Sequence, residues 1–398
     1  MSDANGSGGI DVARARAETP ACAHVKHFNN CGAALMPQAV IEAVKRHIDR
    51  EALMGGYEAA DAAAGEIQSV YASLARLIGC RTEEIALVEN ATVAWNMAFV
   101  SLRFRPGDRI LTAMAEYASN YLNFLHVARR HGVSIEPVPN DESGQLDTRA
   151  LAERLDARVK LIAVTHVPTN GGLVNPAAAI GRIAREAGVP FLLDACQSAG
   201  QMPLDVEAMG CDLLSATGRK FLRGPRGTGF LYVRQGFLEQ LEPPWLDLRA
   251  AEWTGPESYE MRPDARRFEN WEFNVAGLLG LGVAVNYALA WGLEAIERRA
   301  RGLAERLRTG LREIPGARVH DLGREPCAIV SFTLSAGEPA DITARLKQEG
   351  FNLSVSGAPS TLLDMRARGI AHLVRAAPHY YNTEDEVDAL LAALRRLA

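Results

Sequence analysis

The chain has 398 residues, 48% of them hydrophobic, long enough to bury a large core with one smaller domain beside it. Its formal net charge of -5 gives no broad basic field, which argues against a nucleic-acid surface, and no apolar run reaches membrane-spanning length. Six cysteines without a CxxC pair suit neither a zinc site nor a disulfide framework, and fit a reducing cytoplasm.

Residues 1–20 are small and polar and read as a disordered tail, with an N-terminal arm over 21–55. Seven short β-rich runs follow: IALVEN (85–90), RILTAM (109–114), VSIEPV (133–138), KLIAVTHV (160–167), PFLLDA (190–195), DLLSA (212–216) and GFLYV (229–233). Helical patterns separate most of them, as in βαβ units around a buried, mostly parallel sheet, so residues 56–273 read as one large α/β domain. From Asn274 the pattern becomes one long apolar helix, VAGLLGLGVAVNYALAWGLEAIERRARGLAERLR, and then an α+β segment; residues 274–398 read as a linking helix and a smaller C-terminal domain. Thr383 with Glu386 three residues on predicts a capping box for the last helix.

In open α/β sheets ligands bind beyond the carboxyl ends of the strands. After the first run, Asn90-Ala91-Thr92 opens a helix whose free N–H groups suit an anion, with simple capping as the plainer alternative. After the second, Tyr117 stands where a planar ligand could stack, although a core tyrosine is the commoner fate. Pro168 to Gly172 form a polar turn, and Asp194 ends an apolar run with Gln197 three residues on. A buried Asp194 needs a positive partner, an arginine or a protonated ring nitrogen. Of 43 basic residues only five are lysines, and Lys26, Lys45, Lys160 and Lys347 fall on an arm, two helical patterns and a strand. Lys220 lies instead in the loop SATGRKFLRGPRGTGF, which lacks the order of a P-loop. A desolvated lysine can attack a carbonyl. Phosphate turn, stacking aromatic, buried aspartate and lone lysine together make a pocket for pyridoxal phosphate.

These residues, in this order, resemble the class V aminotransferases, fold type I pyridoxal phosphate-dependent transferases that include cysteine desulfurases and isopenicillin N epimerase-like proteins. The resemblance spans nearly all of the chain after the tail and implies a large domain with a mostly parallel seven-stranded sheet plus a smaller α+β C-terminal domain. FNNCGAALMP resembles the family's arm, with Ala33 on the substrate side, and ENAT its phosphate turn, with Ala91 and Thr92 on the phosphate. AEYASN is similar to the ring-stacking segment, here Tyr117, and LLDACQSAG to the element whose Asp194 binds the pyridinium nitrogen and Gln197 the ring hydroxyl. SATGRKFLRGPRGTGFLYV resembles the Schiff-base segment, which makes Lys220 the catalytic lysine with Thr217 and Arg219 near the phosphate. Many relatives carry histidine at the place of Arg219, and a guanidinium there would grip phosphate more firmly. VRAAPHYYNTEDEVD implies Arg375 as the substrate-carboxylate arginine, and the polar turn offers Asn170 beside Thr169.

The departures bear on the reaction. Glu272, in RFENWEFN, stands where desulfurases place a threonine reaching the partner subunit's phosphate, so Trp271 or Asn270 would replace that contact. Residues 356–370, where desulfurases carry a mobile nucleophilic cysteine, contain none. From this the sequence favours a C–S lyase acting by β-elimination on an S-substituted cysteine or its sulfoxide. An aminotransferase or an epimerase is the alternative, a persulfide-forming desulfurase is disfavoured, and a non-catalytic protein of this fold is remote. No metal is implied. A cytoplasmic homodimer with a shared site is expected, its long apolar helix buried between domains or subunits.

Overall fold

The computed structural model describes residues 9–398. The tail expectation needs correcting where it can be followed. Residues Val12–Ala17 form a helix capped by Asp11, Ala15 is buried, and the Arg16 guanidinium bonds Glu386 at 2.8 Å. Residues 1–8, the rest of that reading, lie outside the described residues.

All seven β-rich runs are strands of one sheet: β1 (Ile85–Val88), β2 (Arg109–Ala113), β3 (Ser134–Val138), β4 (Val159–Thr165), β5 (Phe191–Asp194), β6 (Leu213–Thr217) and β7 (Gly229–Val233). Their order is β1-β7-β6-β5-β4-β2-β3, parallel throughout except that β7 runs against both neighbours. Period-two alternation sends Leu111, Ile162, Leu193 and Leu214 into one core and Ile110, Leu161, Leu192 and Leu213 into a second core on the other face. Helices therefore cover both faces, which is why these strands read as unbroken apolar runs. An exposed antiparallel hairpin, β8 (Ala251–Gly255) and β9 (Ser258–Met261), follows the sheet. The C-terminal domain is a four-stranded antiparallel sheet of β10 (Ala317–Val319), β11 (Val330–Leu334), β12 (Ser354–Gly357) and β13 (His372–Ala376), in the order β10-β11-β13-β12. The capping box forms as predicted, Thr383 bonding the Glu386 amide while Glu386 reaches back to the Thr383 amide.

The single long helix does not form. Val275–Trp291 and Leu293–Arg312 are two helices bent by 80° at Gly292, whose φ of 83° a residue with a Cβ rarely adopts. The first of the two is a core element of one chain. Leu278, Leu281 and Val285 are buried, and Gly280 and Gly282 let the Val44 and Val70 side chains approach the backbone. Among the described residues no single helix is both long and apolar enough to cross a membrane.

Candidate active site

The carboxyl edge of the large sheet collects what the sequence singled out. Asp194 closes β5, Thr217 closes β6, and Asn90, Glu116 and Pro168 follow β1, β2 and β4. Asn90 caps the Ala91–Val100 helix by accepting from the Val93 amide at 3.0 Å, so the capping alternative holds for Asn90 itself. That leaves the first-turn amides of Ala91 and Thr92 for an anion. Tyr117, 37% exposed, opens the next helix at the mouth of the site.

Asp194 is buried and, among the described residues, carries no ion pair. Its Oδ1 accepts from the Cys196 amide at 2.9 Å and its Oδ2 from Asn120 Nδ2 at 2.9 Å. Asn120 Nδ2 also donates to Glu116 Oε1 at 2.8 Å, so one amide nitrogen joins two buried carboxyl groups. Glu116 accepts further from the Thr165 amide at 2.9 Å, the Tyr117 amide at 3.1 Å and Thr112 Oγ1 at 3.2 Å. Burial, reinforced by Asp194, pushes the Glu116 carboxyl up to about 7 against those hydrogen bonds. A group raised in this way contributes stability that is fully present below the ordinary carboxylate range and lost as pH rises through about 7. The cofactor-free protein should therefore lose melting temperature between about pH 4.5 and 7. A flat profile in thermal scans would place the Glu116 charge elsewhere.

Lys220 sits in the loop after β6. Burial lowers the pKa of its amine, Asp194 opposes this, and the positive charges of Arg219 and Arg375 reinforce it. The shift is in the direction that a nucleophile or base requires. The loop is held from several sides. Gly200, at φ 90°, brings the Asp194–Gln197 turn so close that a Cβ there would meet the Phe221 and Leu222 backbone. Thr217 Oγ1 donates to the Thr228 carbonyl at 3.3 Å. Arg223, in a left-handed conformation at φ 61°, is fully buried and donates to the Leu35 carbonyl at 2.7 Å, Thr19 Oγ1 at 2.6 Å and Tyr380 Oη at 2.5 Å. It thereby ties the lysine loop to the N-terminal arm.

That arm packs along the site through residues 31–34. Gln197 Nε2 donates to the Cys31 carbonyl at 3.1 Å, and the Ala34 amide to the Arg219 carbonyl at 2.9 Å, which brings Ala33 beside the lysine loop. The Arg219 guanidinium, expected near the phosphate, donates through Nη1 to the Gly32 carbonyl of the arm and keeps its other donors. Arg375 donates to the Thr169 carbonyl at 3.0 Å, to Thr169 Oγ1, and to Ser354 Oγ at 3.2 and 3.3 Å, so Thr169 orients the arginine. Asn170 Nδ2 donates to Thr361 Oγ1 at 3.1 Å and lies 3.1 Å from Met365 Sδ. Residues 356–370 are therefore a folded wall, a turn at Ala358–Thr361 and a helix at Leu362–Ala367. Asn270 bonds Glu89 just ahead of the phosphate turn, whereas Glu272 is exposed in a groove with Tyr57 and Trp271.

These residues fit pyridoxal phosphate. Two buried carboxyl groups share one amide and lack a hydrogen-bonded cation, which a protonated ring nitrogen supplies. Gln197 Oε1 and Asn170 Oδ1 are buried without partners, acceptors left for groups of a ligand. Sequence reasoning missed Asn120, Glu116 and Arg223. The spacing of four between Glu116 and Asn120 was visible, but nothing in the chain marked that they meet Asp194, 74 residues beyond Asn120.

Fold and site together define a fold type I pyridoxal phosphate enzyme. The chain belongs to the class V aminotransferases: that family's model, described as "Aminotransferase class-V", matches residues 27–390. It is 31% identical over 348 residues to a probable cysteine desulfurase of Methanothermobacter thermautotrophicus, covering 86% of each chain. It is 30% identical over 389 residues to a probable cysteine desulfurase of Pyrococcus abyssi, covering 96% of each. The apo cysteine desulfurase of Thermococcus onnurineus superposes with a TM-score of 0.91 at 29% identity, over 98% of this chain and 99% of that one. These findings correct the expectation of a β-eliminating lyase with desulfurase chemistry disfavoured. The absent cysteine in 356–370 bears only on where sulfur is received, and the chain's likeness over nearly its full length is to desulfurases.

Proposed function

We propose that the protein is a cysteine desulfurase, transferring the sulfur of cysteine to a thiol and leaving alanine. The observation that carries the reading is the Lys220 amine, its pKa lowered by burial, within electrostatic reach of Asp194 and Arg375, in a chain aligned over 96% of its length with a relative named as a probable cysteine desulfurase. Bound pyridoxal phosphate supplies an electron-withdrawing ring that stabilises negative charge on the substrate's Cα. Arg375, oriented by Thr169 and Ser354, holds the substrate carboxylate. The Lys220 amine takes the Cα proton. A thiol then bonds to the cysteine sulfur while the Cβ–S bond breaks, the proton the thiol gives up goes to Cβ, and Lys220 returns its proton to Cα. One cysteine and one thiol give one alanine and one persulfide, without an external oxidant.

The acceptor in this reading comes from outside the chain. Residues 356–370 contain no thiol, and burial raises the pKa of the Cys196 thiol beside Lys220 and keeps it protonated. With cysteine and dithiothreitol, alanine should appear one-for-one with released sulfide, and turnover should stop when the dithiol is omitted. Pyruvate and ammonia in place of alanine would end the desulfurase reading.

Two finer statements belong to the same proposal. The protein acts as a homodimer, and the support is a set of exposed apolar side chains, Leu53, Tyr57, Trp253, Tyr259 and Trp271, rather than the helix after Asn274. It works in a reducing compartment such as the cytoplasm, since its six cysteines are all unpaired thiols.

Arg375→Ala should raise KM for cysteine about 100-fold, the worth of two charge-assisted hydrogen bonds at roughly 1.5 kcal/mol each, with cofactor content near wild type. Loss of cofactor instead would put this arginine at the phosphate.

A further inference from the structure

We propose that Asn120 and Glu116 are positioning residues for the cofactor, together holding Asp194 as the anion that keeps the pyridine nitrogen protonated. The geometry is a chain of three buried side chains. Asn120 Nδ2 spends one hydrogen on Asp194 Oδ2 at 2.9 Å and the other on Glu116 Oε1 at 2.8 Å. Asp194 Oδ1 is fixed independently by the Cys196 amide at 2.9 Å, so the carboxylate plane is set from both oxygens. Glu116 in turn is anchored by β4, through the Thr165 amide and hydroxyl, and by β2, through Thr112. Two neighbouring strands therefore fix the orientation of a group on a third.

The chain of bonds has a direction. An amide nitrogen has two hydrogens and nothing to accept with, so Asn120 can serve both carboxyl groups only as a donor. Its donation favours ionised Asp194, while the second carboxyl group behind it strengthens the negative potential at the sheet edge. Both effects favour a proton on a ring nitrogen facing Asp194. Outer-shell partners of this kind, tested mostly around metals, typically contribute a factor of about ten or more in affinity or activity. The protein's hydrogen-bonding requirements point the same way, because burying two carboxyl groups in one network is costly unless a cation completes it.

The experiment uses the full chain reconstituted with pyridoxal phosphate labelled with nitrogen-15 in the ring, and compares wild type, Asn120→Leu and Glu116→Gln. Wild type should show the ring-nitrogen chemical shift of the protonated form. Asn120→Leu, close in shape but unable to donate, should move it toward the unprotonated form and weaken cofactor binding about tenfold. Glu116→Gln should move it in the same direction by less. If the nitrogen stays protonated in folded Asn120→Leu, whether or not affinity falls, the role is only structural and the proposal is overturned. Should Asn120→Leu not fold by circular dichroism, Glu116→Gln carries the test alone, and an unchanged nitrogen signal in it overturns the proposal. Neither reading depends on which amino acid the enzyme consumes.

Discussion

Lys220→Ala is expected to abolish covalent capture of the cofactor by borohydride and to lower turnover roughly a thousandfold or more, since one side chain serves as attachment point and base. The four other lysines lie on other elements of the fold. Retention of reduced cofactor on another lysine, seen by peptide mass mapping, would remove Lys220 from its role. The same variant makes a separate statement about stability. Burial depresses the Lys220 pKa in the folded protein, so its contribution is present above the ordinary lysine value and is lost as pH falls through the folded value. At neutral pH the native lysine is thus a cost to the cofactor-free fold. The cofactor-free alanine variant should melt no lower than wild type, and its advantage should grow as pH falls. A lower melting temperature across that range would mean that the amine is not desolvated.

The largest expected loss of stability lies away from the chemistry, at Arg308. Its side chain and that of Asp321 are 2% and 3% exposed, and Nε meets Asp321 Oδ2 at 2.7 Å. The same guanidinium donates to the Cys327 and Ile329 carbonyls at 2.6 and 3.0 Å. Arg308→Met keeps much of the volume but leaves Asp321 buried without its cation and two carbonyls without a donor. The expected cost is about 3–5 kcal/mol, read as a lower urea midpoint at unchanged slope. Adding Asp321→Asn should recover part of it, because the uncompensated charge is then gone. A loss under about 1 kcal/mol would mean that water reaches Asp321. The effect should extend to the site. The Gly172 carbonyl accepts from the Cys327 amide at 2.7 Å and that of Gly171 from the Leu322 amide at 2.6 Å, so the segment Arg308 braces also holds the turn carrying Thr169 and Asn170. Gly172, at φ 61°, leaves no room for a Cβ beside Arg308 and the Ile329 carbonyl.

Much of this architecture was legible in the chain because its signals are local. A strand buried on both faces must be apolar on both, and the inner runs, such as Phe191–Asp194 and Leu213–Thr217, advertised themselves in that way, whereas the edge run Ser134–Val138 is more polar. Lys220 and Asp194 stood out for a chemical reason, a scarce amine and a carboxylate ending an apolar run. The break at Gly292 was hidden because helical periodicity continues across it, although a glycine at φ 83° is what allows the turn. The helix at Val12–Ala17 was hidden because its stability comes from contacts far along the chain, such as Arg16 with Glu386.

The sequence by itself determined the fold class and the cofactor, and pointed to the residues expected to hold it, Lys220 among them, since each depends on residue type and short spacing. Tertiary structure alone decided which neighbours those residues serve. Arg219 reaches the Gly32 carbonyl of the arm, Thr169 rather than Asn170 orients Arg375, and Asn120 couples Glu116 to Asp194. The physical reason is common to all three. A hydrogen bond is fixed by distances of about 3 Å and by direction, and sheet order brings residues to that range across 206 positions for Arg375 and Thr169.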